Sequence, residues 1–143
     1  AAAAMAAVVE AHWRLGAGVA DGVDETRDAH CLPTGRIRVR EAGHPLPDQA
    51  GQGAAAQILD MARSLGDGDL LLCLLSGGGS SLLALPAPGI TLADKQDLAR
   101  ALLRSGAPIG AINTVRRALS AIKGGRLAAA AWPASSVTIA VSD

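Results

Sequence analysis

The fold is limited most strongly by a short apolar run that passes directly into three glycines. Leu70–Leu75 reads Leu-Leu-Leu-Cys-Leu-Leu, a pattern typical of a strand buried within a parallel sheet. Small residues follow it at once: Ser76, Gly77, Gly78, Gly79, Ser80 and Ser81. A buried strand that leads into a glycine-rich loop predicts an α/β domain with a sheet at its centre.

The remaining segments alternate between strand-like and helix-like patterns, as a layered α/β domain requires. Their order predicts a Rossmann-like fold with a mainly parallel sheet. The strands are expected at Val19–Thr26, Arg36–Glu41, Leu70–Leu75 and Val137–Val141. The helices are expected at Ala1–Leu15, from an Asp48 cap to Leu65, from Thr91 or Asp94 to Arg104, at Ile109–Lys123 and at Arg126–Trp132.

Charge and cysteine content exclude several classes of protein. Thirteen basic and thirteen acidic side chains cancel, whereas a nucleic-acid-binding domain normally carries a basic excess, so no nucleic-acid partner is expected. The longest apolar run is far too short to cross a bilayer, so no membrane partner is expected either. With two cysteines, one of them Cys73 inside the apolar run, a disulfide framework is not predicted. These features predict a soluble, cytoplasmic protein.

The glycine-rich loop is the first candidate site. Glycines let the backbone approach an anion closely, and successive N–H groups followed by a helix start form a positive concavity. The loop lacks the Gly-Lys-Ser/Thr ending of a Walker A motif and the Gly-x-Ser-x-Gly pattern of a nucleophile elbow. Anion binding is therefore predicted, and a plain strand-to-helix turn is the alternative.

A second candidate site is a polar line on the helix expected at Ile109–Lys123. At about 3.6 residues per turn, Asn113, Arg116 and Lys123 share one face of that helix, together with Ser120. Because Gly124 and Gly125 follow, the line ends at a turn that could aim Lys123 at an anion. The alternative is a solvated face whose basic residues are favoured by the helix dipole.

Two further residues are candidates on weaker grounds. His44 lies in a proline-containing loop after a predicted strand, a reasonable position for contacts to a polar substrate. The alternative is that its imidazole only hydrogen-bonds its own loop. Asp143 follows the last predicted strand, and its carboxylate could bind Mg²⁺ or a hydroxyl group.

Taken in order, these segments resemble the glycerate 2-kinase family, whose carboxyl-terminal part is called the MOFRL domain. The resemblance covers nearly the whole chain from Gly35 onward. The motifs that carry it are Glu41-Ala-Gly-His-Pro-Leu-Pro-Asp48, Leu74-Leu-Ser-Gly-Gly-Gly-Ser-Ser81, Asp94-Lys95-Gln96, Ser105-Gly106-Ala107, Asn113-Thr-Val-Arg-Arg117, Leu119-Ser-Ala-Ile-Lys-Gly-Gly-Arg-Leu-Ala128 and Ser142-Asp143.

The resemblance implies a kinase that transfers the γ-phosphoryl group of ATP to D-glycerate, giving 2-phosphoglycerate, with Mg²⁺ required. It implies that the loop Ser76–Ser81 cradles phosphate and that Asn113, Arg116 and Lys123 neutralise charge or orient glycerate. His44 and Asp143 would line the cleft. Residues 1–143 would be an amino-terminal domain fragment, with the catalytic second domain outside them. The fragment alone is expected to be inactive, and a homodimer stays open for the intact protein.

The sequence departs from the family at several positions. Asp24 and Glu25 fall in a strand that the family fills with valines, and two buried acids would destabilise the fold unless they are paired. Ala111 stands where an acid is common in the family, and Ala118 where histidine is frequent, so those roles do not transfer. The alternative function is a non-catalytic anion- or nucleotide-binding module on the same fold.

Overall fold

The computed structural model describes residues 8–9, 22–27, 37–42, 46–75 and 82–140. Val8 and Val9 are helical, in agreement with the expected first helix. Four strands and four further helices follow within the described ranges. In chain order they are β1 (Gly22–Arg27), β2 (Ile37–Ala42), α1 (Gln49–Ser64), β3 (Leu70–Leu75), α2 (Leu92–Arg104), α3 (Ile109–Ala118), α4 (Arg126–Ala130) and β4 (Ser135–Ala140).

The strands form two parallel pairs, which confirms the predicted α/β class. β1 pairs with β2, and the register sets Asp24 opposite Val39 and Glu25 opposite Arg40, so the acidic segment is a strand. β3 pairs with β4, with Leu70 opposite Ser135. Parallel strands need a long crossover, and α2, α3 and α4 all lie between β3 and β4 in the chain.

The burial of β3 differs from the prediction for a central strand. Leu70 is exposed and the other five residues of β3 are half-buried. Every residue of β4 is exposed. The physical reason is that β3 has β4 as its single hydrogen-bonded neighbour within the described ranges, so one edge of β3 has no strand beside it there.

The core is built mainly from alanine on one face of α1. Asp48 begins this helix, as predicted, because its carboxylate accepts a hydrogen bond of 2.8 Å from the Gly51 N–H. Ala55 and Leu59 face inward and pack against Ile122, which lies beyond α3. Small side chains let α1 approach β1, β2 and α4 closely.

Both of the candidate caps for α2 act together in a capping box. The Thr91 hydroxyl accepts a hydrogen bond from the Asp94 N–H, and the Asp94 carboxylate accepts one from the Thr91 N–H. The Thr91 side chain and N–H hold the pKa of Asp94 below its ordinary value. Within α2, Gln96 donates from Nε2 to the Pro47 carbonyl at 2.7 Å, which ties the helix to the segment before α1.

The helix predicted at Ile109–Lys123 is wrong at its carboxyl end, because α3 stops at Ala118. The chain after it pairs instead with the segment that follows the glycine-rich loop. Ala121 N–H donates to the Leu85 carbonyl at 3.1 Å, and Ala87 N–H donates to the Leu119 carbonyl at 3.2 Å. This short antiparallel bridge takes the backbone groups that a longer helix would have used.

No helix in the described ranges combines the length and the apolar character needed to cross a membrane.

Candidate functional site

A small groove lies between α2, the end of α3 and the segment that follows the glycine-rich loop. Its apolar walls include Leu83, Leu98 and Leu102, and its polar lining includes three cations, Lys95, Arg116 and Lys123. The groove is partly open to solvent and has a cavity volume of about 40 Å³. Its three cations suit a carboxylate or phosphoryl group.

Two of the predicted site residues meet in this groove, and a third does not. Arg116 lies in the last turn of α3 and Lys123 in the turn after it, and both are half-buried. Asn113 is exposed on α3 and is not part of the groove lining. The prediction that these residues share one face of a single helix is therefore wrong. Ser120 is buried in the β-bridge, and Lys123 reaches the groove from a turn.

The turn that carries Lys123 is held by side chains as well as by backbone. The fully buried Ser120 hydroxyl accepts a hydrogen bond of 3.3 Å from the Lys123 N–H. Arg126 donates from Nη1 to the carbonyls of Lys123 and Arg117, each at 2.9 Å. The Arg126 guanidinium thus donates to backbone carbonyls at and beyond the carboxyl end of α3, where carbonyls have no partner within the helix.

The two glycines of this turn allow a matched test of its stability. Both have positive φ, +68° at Gly124 and +83° at Gly125, where an L-residue is strained by about 1–2 kcal/mol. A Cβ at Gly124 would also lie 2.8 Å from Arg117 Cγ, whereas a Cβ at Gly125 meets nothing within 4 Å. We expect Gly124→Ala to lower the thermal midpoint of the intact protein more than Gly125→Ala does. Equal shifts would contradict the close contact with Arg117.

Lys95 was not predicted as a site residue, and its position is unusual. Burial, and then the charge of Arg116, lower the pKa of its amine. Its Nζ donates to the Leu85 carbonyl at 3.4 Å. The sequence does hold a signal for it, since Leu98, Ala99 and Leu102 follow at the helical spacings i+3, i+4 and i+7 and place Lys95 on the apolar stripe of α2.

The other predicted site residues lie outside the described residues: the loop Ser76–Ser81, His44 and Asp143. Both flanks of the loop are described. β3 ends at Leu75, and Leu82, directly after the loop, is buried. The next residues, Leu83 and Ala84, line the groove. The residues that follow the predicted loop in the chain therefore line the same groove as Arg116 and Lys123.

The described residues contain no group of three or more His, Cys, Asp or Glu side chains suited to a metal ion. The donor set of the groove itself is cationic, so it fits an anion and does not fit Mg²⁺. The thiol of Cys73 on β3 is half-buried, and burial raises its pKa, as expected for a structural cysteine.

Comparison with known proteins finds one family model and several relatives that match over nearly the whole chain. The family described as "Domain of unknown function (DUF4147)" matches residues 1–143. Two proteins of Agrobacterium vitis, both provisionally named hydroxypyruvate reductase, are 52% and 50% identical over the whole of this chain and 37% and 32% of their own length. A D-glycerate 2-kinase of Thermotoga maritima is 42% identical over 97% of this chain and 36% of its own.

A solved structure agrees with the fold. The crystal structure of the glycerate kinase of Thermotoga maritima superposes with a TM-score of 0.81 at 42% identity, over 94% of this chain and 34% of that one. The chain thus spans about a third of the length of each of these relatives and of the solved structure.

Proposed function

This chain belongs to the DUF4147 family, the amino-terminal region of glycerate kinases, and we propose that the intact protein phosphorylates D-glycerate. The γ-phosphoryl group of ATP is transferred to the substrate hydroxyl, and 2-phosphoglycerate and ADP are the products. The similarity to a named D-glycerate 2-kinase and to a glycerate kinase structure over nearly the whole chain supports this reaction class.

The observation that carries the proposal is the meeting of two segments at one groove. Leu83 and Ala84, which follow the glycine-rich segment in the chain, line the groove together with Arg116 and Lys123. We therefore propose that the phosphate-binding segment and the two cations act on the same ligand. Phosphoryl transfer depends mainly on this kind of positioning and charge neutralisation.

In the proposed reaction, the 2-hydroxyl oxygen of glycerate bonds to the γ-phosphorus while the bond from that phosphorus to ADP breaks, and the hydroxyl proton is released to solvent. Arg116 and Lys123 offset the negative charge of the transferred group or hold the glycerate carboxylate. The Ser120 hydroxyl and Arg126 hold the turn that places Lys123. Mg²⁺ bound with ATP would neutralise phosphate oxygens, and Asp143 is the residue proposed to hold it.

The finer assignments are part of the same proposal. We assign phosphate binding to Ser76–Ser81. We assign substrate contacts to His44 and to Asn113, which is exposed on α3. We also propose a cytoplasmic location and, for the intact protein, a homodimer. A structural thiol at Cys73 is in keeping with a reducing compartment.

A hydroxypyruvate reductase is the second candidate, because the provisional names of two relatives at 52% and 50% identity favour it. Hydroxypyruvate and glycerate are both three-carbon carboxylates, so one cationic groove suits either. A dinucleotide-binding loop normally reads Gly-x-Gly-x-x-Gly. Here Gly77 and Gly79 supply the first two glycines, but the buried Leu82 stands at the third, which favours the kinase.

The test compares both reactions in the intact protein. We expect ADP release with D-glycerate and Mg-ATP at about 1 s⁻¹ or faster, the range of ordinary kinases. NADH or NADPH oxidation with hydroxypyruvate is expected to stay at background. Reductase turnover without ADP release would replace the first candidate with the second. If the protein binds ATP but catalyses neither the kinase nor the reductase reaction, the non-catalytic binding module is the remaining function.

A further inference from the structure

Lys95 occupies a position that is unfavourable for a cation in three respects. It lies one residue beyond the Asp94 of the α2 capping box, near the positive end of the helix dipole. It is half-buried on the apolar stripe with Leu98 and Leu102. It also faces the like charge of Arg116, and both this charge and burial lower its pKa.

The described contacts do not offset these costs. The Lys95 amine donates to one neutral acceptor, the Leu85 carbonyl, at the long distance of 3.4 Å. The ion pairs found within the described ranges join Arg63 to Asp60 and Arg100 to Asp97, so no carboxylate there pairs with Lys95. For packing alone, an uncharged side chain of similar unbranched shape, such as methionine, would serve better.

We propose that Lys95 and Arg116 together bind an oxyanion of the substrates, so that Lys95 is a binding residue of the groove. This inference rests on the proposed function and adds a residue to its site. An anion between the two cations would reverse their repulsion and give the amine a charged hydrogen-bond partner. The unfavourable position of Lys95 in the free protein is then explained, because a bound anion offsets the repulsion between the two cations.

The groove limits the class of ligand. Its cationic lining and its small volume, about 40 Å³, suit a terminal carboxylate or phosphoryl group. The carboxylate of glycerate and a phosphate of ATP share this chemistry. The two sources can be separated by measuring binding of each ligand alone.

The experiment replaces Lys95 by methionine in the intact protein, with Arg104→Met as the matched control. Arg104 is an exposed cation in the last turn of the same helix. Calorimetric titration with D-glycerate and with Mg-ATP gives the two Kd values, and thermal unfolding of the free protein gives its stability. We expect Lys95→Met to weaken binding of one ligand about tenfold or more, as loss of a charged hydrogen bond does, without lowering the thermal midpoint.

A loss for glycerate assigns its carboxylate to the groove, and a loss for Mg-ATP assigns a phosphate. Both Kd values within twofold of wild type would overturn the inference. Equal weakening in Arg104→Met would overturn it too, and so would a lowered thermal midpoint with unchanged binding.

Inorganic phosphate separates this inference from the proposed function. If the wild-type protein phosphorylates nothing, its thermal stabilisation by inorganic phosphate still tests the groove. If phosphate raises the thermal midpoint of the wild type but not of Lys95→Met, the inference is supported even though the kinase proposal fails. Stabilisation that persists in Lys95→Met, or none in the wild type, would overturn the inference as well.

Discussion

Replacing Lys123 by alanine in the intact protein is expected to lower kcat/KM for glycerate phosphorylation about a hundredfold or more. Lys123 lines the groove, and its turn is fixed by the Ser120 hydroxyl and by Arg126, so its charge is positioned in advance. Arg117→Ala is expected to leave kcat/KM within a few-fold, because Arg117 is exposed on α3 and is not part of the groove lining.

Arg117→Ala is a fair control because it removes the same charge one residue from Arg116, in a helix that tolerates alanine. Its carbonyl still accepts the hydrogen bond from Arg126. Steady-state kinetics with glycerate and Mg-ATP, together with circular dichroism of both variants, decide the comparison. A larger loss for Arg117→Ala, or equal losses in folded proteins, would show that the groove is not where charge is neutralised.

Gly78→Val is expected to abolish detectable binding of Mg-ATP or of glycerate while most of the fold remains. The prediction comes from the sequence, since three glycines are more than a strand-to-helix turn needs. A valine would fill the space through which backbone N–H groups reach an anion. It would also resist any positive φ, at a local cost of about 1–2 kcal/mol, which a domain with ordinary stability survives.

Gly53→Val is the matched control for Gly78→Val. Gly53 lies exposed in α1, where a Cβ meets nothing within 4 Å, so we expect neither stability nor binding to change much. Calorimetric titration with each ligand, beside circular dichroism, measures both effects. If folded Gly78→Val protein binds Mg-ATP and glycerate as tightly as wild type, the loop is only a turn and the site must be sought elsewhere.

Local patterns in the sequence predicted most of the elements well. β3 has the predicted bounds because its uninterrupted apolar run is set off by the polar residues Asp69 and Ser76 on either side. Asp48 and Thr91 begin their helices as predicted, since a cap is satisfied by backbone N–H groups only three residues away. These are short-range interactions, so neighbouring residues alone reveal them.

The errors have a long-range cause. Nothing near Ala118 in the sequence ends α3; the bridge between Leu119–Ala121 and the distant Leu85–Ala87 does. The candidate site was affected in the same way. Arg116 and Lys123 were predicted together on a helical face, and they do meet, but through a turn that this bridge creates. Lys95 was missed because the two cations that line the groove with it, Arg116 and Lys123, lie far from it in the sequence.

The bridge between Leu85–Ala87 and Leu119–Ala121 also bears on how this protein could be redesigned. Backbone hydrogen bonds set the spacing between the exit of the glycine-rich loop and the turn that carries Lys123. The side chains along the bridge are constrained for separate reasons. Leu85 packs against the core, Leu119 lines the groove, and the buried Ser120 hydroxyl holds the turn. The bridge therefore fixes the distance between two of the segments that line the groove. Groove side chains could be changed to alter substrate specificity while that distance stays the same.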